Sequence, residues 1–240
     1  MTVQHIVTLL HASPLYLAAH GARTCWNSHG KSDTKECQLQ AMQEAILDDN
    51  YGFTADHITG SADMDLIDRV GNKFRHASIL EHLNYTFYIE GISRACLQEL
   101  SRHRHTSPSV KSSRYTLKEL NSEASFINND DENILQSYDR ACQYVVFTGD
   151  DSIDYSILGA LEALRVLVRL GKPNDLTKYA MPEAYKVTEQ LTINARSLQN
   201  FLSLRSDKSA LWEIQQLATS LYEALPTEHQ YLFTHCMKEV

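Results

Sequence analysis

Apolar and polar positions alternate most regularly between residues 83 and 89. Leu83, Tyr85, Phe87 and Ile89 fall on one side of this segment, whereas Asn84, Thr86 and Tyr88 fall on the other. A strict period of two is typical of a half-buried strand. Two further segments, 3–10 and 186–193, are rich in β-branched and apolar residues and also predict strands.

Apolar residues recur at helical spacing in most of the remaining chain. This spacing predicts helices over residues 32–48, 63–75, 92–104, 131–147, 151–170, 195–204 and 211–225, with a last helix that reaches residue 236. The helix over 151–170 is strongly apolar, so we expect it to lie at the centre of the core. We expect Gly91 to end the strand before it, and Pro108 with its flanking serines to leave residues 106–115 as a loop.

The order of these elements mixes strands and helices without a repeated βαβ rhythm. This order favours the α+β class, with a mixed or antiparallel sheet packed with several long helices. The 240 residues contain no internal repeat and no low-complexity stretch. We therefore expect a single domain over residues 1–240.

The charge and cysteine content narrow the possible functions. The formal net charge of −8 should repel nucleic acid and anionic membranes, so an anionic substrate would need a local basic pocket. No run of about 18 apolar residues is present, which predicts no membrane span. The five cysteines are odd in number and widely spaced, which argues against a disulfide framework or a zinc site. We expect no bound metal and a cytoplasmic location.

The densest group of chemically useful side chains lies between residues 102 and 115. This segment holds three Arg, one Lys, two His and four Ser. Guanidinium groups and hydroxyls are suitable donors for a phosphate or diphosphate. A solvated basic turn or a nucleic-acid patch would have the same composition, although the acidic total argues against the nucleic-acid alternative.

The spacing within this segment resembles a known family signature. The segment is similar to the signature of the flavin-dependent thymidylate synthases: it has Arg102-His103-Arg104, seven further residues, and then Ser112-Ser113-Arg114-Tyr115. Other segments resemble further elements of that family, namely the H-x-S-x-L-E-H segment at 76–82, the N-A-R-S-L-x-N-F-x-x-L-R block at 194–205 and the A-R-T-C-W run at 22–26. Together these similarities extend over most of the chain.

The resemblance implies a reaction as well as a fold. Members of the family methylate dUMP to dTMP with 5,10-methylenetetrahydrofolate as carbon donor, reduced FAD as hydride donor and NADPH as the usual reductant. The family is a homotetramer with active sites shared between subunits, and we expect the same here. The hydride chemistry belongs to the flavin, so the protein must supply positioning and electrostatics.

The resemblance also implies two overlapping sets of contact residues. For FAD these are Ser78, Arg102, His103, Arg104, Asn194, Arg196 and Asn200. For dUMP they are Glu99, Arg102, Ser112, Ser113, Arg114, Lys178 and Arg205. Arg205 is the expected catalytic residue, because a permanent cation against the uracil ring would stabilise negative charge and make C5 more nucleophilic. Lys178 lies where the family often has Arg and would hold the dUMP phosphate.

Four positions depart from the family pattern. Ser109 and Val110 replace an Asn-Glu pair within the spacer, and Ser209 replaces a His found in some members. Glu99 lies where other members have Gln. None of these changes removes the arginine framework, so we expect the activity to survive.

Three alternatives remain open at this stage. A flavin-independent thymidylate synthase would need a nucleophilic Cys, typically after Pro, and none of the five prolines is followed by Cys. A nucleotide-binding regulator could have kept the pocket and lost catalysis through the changes at Val110 and Ser209. A nucleic-acid-binding protein that uses the basic run would show a steep salt dependence of its affinity.

Overall fold

A four-stranded antiparallel sheet forms the centre of the fold. The computed structural model describes residues 5–48, 54–127 and 131–238. The strands are β1 (Ile6–Ala12), β2 (Asn84–Ser93), β3 (Thr106–Val110) and β4 (Lys186–Asn194), in the spatial order β1-β2-β4-β3. All neighbouring pairs are antiparallel. The predicted α+β class is therefore confirmed, whereas residues 3 and 4 of the first predicted strand lie outside the described residues.

The alternating pattern on β2 is confirmed by its burial. Tyr85, Phe87 and Ile89 are fully buried, while the residues between them are partly exposed. Phe87 lies opposite Leu191 of β4, which is also buried. One face of the sheet thus carries the apolar residues toward the helices, as a period of two requires.

The prediction that Gly91 ends the second strand is wrong. Strand β2 continues to Ser93, and its register against β4 shifts between Glu90 and Ile92. Gly91 has a φ of 82°, which is unfavourable for residues with a Cβ atom. The glycine therefore allows a β-bulge within the strand rather than a strand end.

The prediction of a loop over residues 106–115 is also wrong in its first half. Thr106–Val110 forms β3, and Pro108 lies opposite Leu191 of β4. Strand β3 is at the edge of the sheet, where a proline does not have to donate a ladder hydrogen bond. The local sequence reads as a break, but pairing with β4 makes the segment a strand.

Eleven helices with α geometry occur in the described ranges. They are α1 (Tyr16–Cys25), α2 (Thr34–Leu47), α3 (Ser61–Ile67), α4 (Arg94–Leu100), α5 (Ser113–Thr116), α6 (Asp131–Ala141), α7 (Asp151–Arg169), α8 (Asn174–Thr177), α9 (Ala195–Arg205), α10 (Trp212–Glu223) and α11 (Thr227–Gln230). Short 3₁₀ turns cover His29–Lys31, Ala77–His82, Leu117–Ser122, Lys178–Ala180 and Thr234–Cys236, and a π turn covers Asp68–Lys73. Among these helices, none is long and apolar enough to cross a membrane.

Most of the predicted helices are confirmed, with errors at their ends. The helix predicted over 63–75 ends at Ile67 and continues as the π turn, and the one over 131–147 ends at Ala141. The helix predicted over 92–104 is limited to α4 because β2 extends to Ser93. The predicted final helix is only α11 and a 3₁₀ turn.

Helix α1 was not predicted at all. Its buried apolar residues are the small Ala18, Ala19 and Ala22, which give a weak apolar signal. Gly21 faces the ring of His82, which leaves no room for a Cβ atom without a shift of that ring. Close packing on the 77–82 turn, rather than local pattern, therefore determines this helix.

Two groups of buried side chains form the core. The larger one packs α1, α9 and α10 on the sheet and includes Phe87, Phe201 and Leu217. The smaller one is built on α7, with Leu161 and Leu164 packed beside Leu117, Leu120 and Phe126. Helix α7 is thus central to the second group and not to the sheet, contrary to expectation. The prediction of one domain over 1–240 stays a prediction.

Candidate functional site

A cavity of about 710 Å³ opens where β4 passes into α9. Its walls come from three segments that are distant in sequence: the 77–82 turn, the residues after α4, and α9. The lining residues are Glu81, Arg102, His103, Arg104, His105, Asn194, Arg196, Ser197, Asn200, Leu204 and Arg205. Four of these eleven side chains are arginines, in a chain with a net charge of −8.

Helix α9 presents one polar face to this cavity. Arg196 and Asn200 are spaced by four residues and therefore lie along one side of the helix, with the exposed Leu204 one turn further on. Leu198, Phe201 and Leu202 lie on the other side and are fully buried. Burial of this apolar stripe fixes the rotation of the helix and turns its polar stripe outward.

Asn194 begins the helix and also lines the cavity. Its side-chain oxygen accepts a hydrogen bond of 2.8 Å from the backbone N–H of Ser197, which is an N-cap contact. The side-chain NH₂ group is then available to donate to a ligand. One residue therefore serves both the helix start and the cavity wall.

Sheet pairing brings the 102–105 segment to the same place. Because Thr106 at the start of β3 lies opposite Ile193 of β4, the residues just before Thr106 lie beside Asn194. The Thr106 hydroxyl donates to the carbonyl of His103 at 2.9 Å and closes the turn. Two motifs about 90 residues apart in sequence are thereby brought into one wall.

Arg205, at the end of α9, is held by three hydrogen bonds. Its Nη1 donates to Glu99 Oε2 at 2.7 Å, its Nη2 to the Glu99 carbonyl at 3.1 Å, and its Nε to His103 Nε2 at 3.0 Å. The side chain is only 18% exposed. The guanidinium group is therefore oriented before any ligand arrives, and it ties α9 to α4.

His103 is neutral because of this environment. Burial, with the nearby charge of Arg205, lowers the pKa of His103 to about 4. Its Nε2 can accept the hydrogen bond from Arg205 Nε only in the neutral form, so the hydrogen bond and the lowered pKa agree. The ring also packs edge-on against Phe201, with 4.9 Å between the ring centroids.

Glu81 is a wall residue that the sequence analysis did not identify. Its Oε1 lies 2.6 Å from Arg196 Nη1, and both side chains are about half exposed. Glu81 belongs to the 76–82 segment, whose resemblance to the family could have indicated it. Ser78 lies in the same 3₁₀ turn but is not among the cavity-lining residues. His105, Ser197 and Leu204 were also missed, and they are neighbours of predicted residues.

A second group of predicted residues lies at the opposite end of β3. The strand runs from Thr106 to Val110, which at about 3.3 Å per residue carries the chain roughly 13 Å away from the cavity. Arg114 follows there, and its Nε bonds Asp175 Oδ1 at 2.5 Å. Asn174 donates to the Arg114 carbonyl at 2.7 Å. A shallow cleft of about 300 Å³ lies beside these residues.

The structure thus separates the predicted site residues into two sets within one chain. The cavity brings together Arg102, His103, Arg104, Asn194, Arg196, Asn200 and Arg205, with Glu99 bonded to Arg205. Ser112, Ser113, Arg114 and Lys178 are not among the residues that line it. Of these four, Arg114 lines the second cleft, whereas Ser112 precedes α5 and Lys178 begins the 3₁₀ turn after α8.

The fold and the first cavity define a class of protein. An open cavity of this size, lined by guanidinium and amide donors on an α+β scaffold, is a binding site for an anionic molecule of nucleotide size.

Comparison with known proteins gives the family. Residues 8–229 match the family model described as thymidylate synthase complementing protein. The flavin-dependent thymidylate synthase of Campylobacter jejuni is 52% identical to this chain, and the match covers 96% of this chain and 97% of that protein. The flavin-dependent thymidylate synthase of Wolinella succinogenes is also 52% identical, and the match covers 95% of this chain and 96% of that protein. A crystal structure of thymidylate synthase X from Helicobacter pylori with FAD and dUMP has a TM-score of 0.82 at 46% identity, and the match covers 98% of this chain and 100% of that one. The chain belongs to the flavin-dependent thymidylate synthase family.

Proposed function

We propose that this protein converts dUMP to dTMP, with FAD as cofactor, 5,10-methylenetetrahydrofolate as carbon donor and NADPH as reductant, in the cytoplasm. The observation that carries the proposal is the cavity in which Arg205 is fixed beside the Arg102–Arg104 wall. The similar Helicobacter pylori structure with FAD and dUMP supports these ligands.

The cavity fits FAD by its donors. Arg102, Arg104 and Arg196 offer guanidinium groups for a diphosphate, and Asn194 and Asn200 offer amides for the polar edge of an isoalloxazine ring. The flavin supplies a hydride when bound and reduced. The protein's part is to hold that ring in place and to balance its charge, which a chain of net −8 can do only at a local basic site.

Arg205 acts on the pyrimidine. Its guanidinium group is a cation, and the three hydrogen bonds to Glu99 and His103 prevent it from turning away. A fixed cation beside the uracil oxygens stabilises negative charge that develops on the ring. Because the donor is oriented beforehand, no reorganisation is needed during the reaction.

The second cleft of one chain binds the phosphate of a dUMP molecule whose pyrimidine lies in the first cavity of a neighbouring subunit. Ser112, Ser113, Arg114 and Lys178 provide hydroxyl, guanidinium and ammonium donors, and Arg114 is paired with Asp175 when no ligand is bound. The length of β3, about 13 Å, separates this group from the first cavity and supports a pocket whose two ends come from different chains. A homotetramer that brings one chain's cleft to another chain's cavity completes the site.

A visible absorption spectrum tests the cofactor. We expect the purified protein to be yellow with bound or readily acquired FAD, and Arg196→Ala to weaken FAD retention at least about tenfold through the loss of a charge-assisted contact. Arg169→Ala removes an exposed arginine at the end of α7 and is expected to retain FAD normally. A colourless wild type that takes up no added FAD would exclude the proposed function.

Release of tritium from the C5 position of dUMP tests catalysis. With NADPH and folate present, the enzyme should release tritium, whereas a regulator that kept only the pocket would bind dUMP and release none. This distinction matters because Val110 and Ser209 differ from the family pattern. Ser209 Oγ bonds Asp207 at 2.6 Å and is exposed, so its side chain is engaged outside the cavity.

Mixing of two inactive variants tests the shared site. Arg205→Ala and Arg114→Ala should each lose activity. When the two variants are refolded together, some sites combine the intact cavity of the Arg114→Ala chain with the intact cleft of the Arg205→Ala chain. We expect tritium release by the mixture to exceed that of either variant alone. A mixture no more active than its components would place both groups in the site of the same chain.

A further inference from the structure

A further cavity, the α4–β3 cleft, lies between α4 and the edge strand β3. Its volume of about 400 Å³ is within the range of small-molecule sites. Leu97 and Leu100 of α4 and Pro108 and Val110 of β3 form its apolar walls. Such walls bind the flat apolar body of a ligand, and the few polar groups beside them decide which ligand binds.

Two arginines line the same cleft. Neither Arg94 nor Arg104 makes a side-chain hydrogen bond or an ion pair in the part of the chain that the structure describes. By contrast, Arg196 and Arg205 of the first cavity are each paired with a glutamate. A guanidinium group has five N–H donors and no acceptor, so each of the two arginines can bind an anion.

Other polar side chains on the walls already donate within the protein. Gln98 Nε2 donates to Glu183 Oε2 at 2.7 Å, and the Ser101 hydroxyl donates to the Gln98 carbonyl at 2.8 Å. The Thr106 hydroxyl donates to the His103 carbonyl at 2.9 Å. The two arginines are therefore the main donors left for a ligand, and they select a negatively charged one.

Glu189 also lines the cleft but does not oppose an anion there. Its side chain is only 1% exposed, and its Oε2 is buried and accepts no hydrogen bond from the described residues. Burial raises the pKa of Glu189 to about 7, because desolvation disfavours the ionised form. Below that pH most Glu189 side chains are protonated, so the two arginines dominate the charge of the cleft.

The positions of the two arginines favour a ligand with two separate anionic groups. Arg94 is the first residue of α4, and Arg104 follows the last residue, Leu100, by four positions. Seven helical residues extend over roughly 10 Å, so the two side chains start from opposite ends of the helix. A ring with a carboxylate at each end can bind both guanidinium groups and still lie on the apolar walls.

We propose that the α4–β3 cleft is a binding site for a small aromatic dicarboxylate, whose two anionic groups bind Arg94 and Arg104 and whose ring lies between α4 and β3. The cleft adjoins the first cavity, and His103 and Arg104 are the described residues that line both spaces. Arg94 lines the cleft but not the first cavity, so it separates the new site from the proposed FAD site.

Calorimetric titration of the full-length protein with terephthalate tests the site. Terephthalate has a carboxylate at each end of a benzene ring, and terephthalamate, in which one carboxylate is an amide, is the matched compound. The titration is made at about pH 6, below the pKa of Glu189. We expect terephthalate to bind and terephthalamate to bind at least about tenfold more weakly, since one charge-assisted pair is lost. Absence of terephthalate binding, or equal binding of the two compounds, would overturn the proposal.

A variant of Arg94 assigns the binding to the cleft. Arg94→Gln removes one of the two cations and should bind terephthalate at least about tenfold more weakly than the wild type. Arg169→Gln removes an exposed arginine at the end of α7 and should bind terephthalate normally. Unchanged binding by Arg94→Gln, or an equal loss in Arg169→Gln, would refute the assignment.

Two further readings on the same samples make the result unambiguous. The melting temperature of Arg94→Gln should equal that of the wild type, because the Arg94 side chain has no partner to lose among the described residues. FAD absorbance reports the first cavity, which Arg94 does not line. A failure of terephthalate binding with normal FAD absorbance would therefore overturn this proposal and leave the proposed function standing.

Discussion

Replacement of Arg205 by alanine would separate two roles that this arginine could have. At the last position of α9 it could simply complement the partial negative charge of the helix end, an effect of about 0.3–1 kcal/mol. In the structure it also makes three hydrogen bonds to Glu99 and His103. The functional proposal adds a contact with the pyrimidine that exists only in the enzyme–substrate complex.

The structure limits the cost of Arg205→Ala for folding. The variant leaves the Glu99 carboxylate and His103 Nε2 without their donor, but the Glu99 side chain is 44% exposed and water can replace the lost contact. We therefore expect a loss of about 1–2 kcal/mol of unfolding free energy, well below what a buried pair would lose. For turnover we expect a loss of about 10²-fold or more, the scale for removal of one preorganised donor to a developing charge.

The matched control is Arg169→Ala. Arg169 is the last residue of α7, so it shares the helix-end position but lies outside the cavity. Urea unfolding gives the free energies, and tritium release from dUMP gives the turnover. If Arg205→Ala turned over as fast as Arg169→Ala, the activating role would be wrong and the helix-end effect alone would remain.

Three further outcomes are expected from stability measurements. Asp63→Asn should lower the unfolding free energy by about 3 kcal/mol, because the buried carboxylate accepts hydrogen bonds from Arg23, Ser32 and Thr34. Urea titration measures this loss of free energy. A loss below about 1 kcal/mol would contradict the prediction. The unfolding free energy should fall as the pH drops from about 6.5 toward 4, because the unfolded chain gains a proton on His103 that the folded chain, with a pKa of about 4, does not take up. His103→Gln should reduce this pH dependence, and an unchanged slope between pH 7 and 5 would show that other groups cause it. Gly91→Ala should lower the unfolding free energy by about 1 kcal/mol, because Gly91 has a φ of 82°. Gly30→Ala, which places its Cβ atom in open space, should lower it by less. Equal melting temperatures of the two variants would argue that the bulge does not require a glycine at position 91.

Local patterns were sufficient for the regular parts of the fold. The period of two at residues 83–89 predicted the buried face of β2, and helical spacing predicted α7, α9 and α10. The arginine motif and its spacing indicated the family, which the comparisons confirm. These features depend on residues close in sequence, where burial of one face produces a readable period.

Long-range pairing decided the features that were predicted wrongly or missed. Residues 106–110 are a strand only because β4 lies beside them, and Gly91 is a bulge only because β2 continues past it. Helix α1 depends on close packing at Gly21. None of these partners is adjacent in sequence, so no local pattern could show them.

The amino-acid sequence by itself determined the α+β class, the family and the set of arginines that make the chain suitable for anionic nucleotides. Only the tertiary structure decided how these residues are divided, with Arg205 fixed between Glu99 and His103 and with Arg114 at the other end of β3. It also showed that Glu189 is buried without a partner. The physical reason is that composition and spacing specify which donors exist, whereas strand register and helix packing specify which of them face the same space.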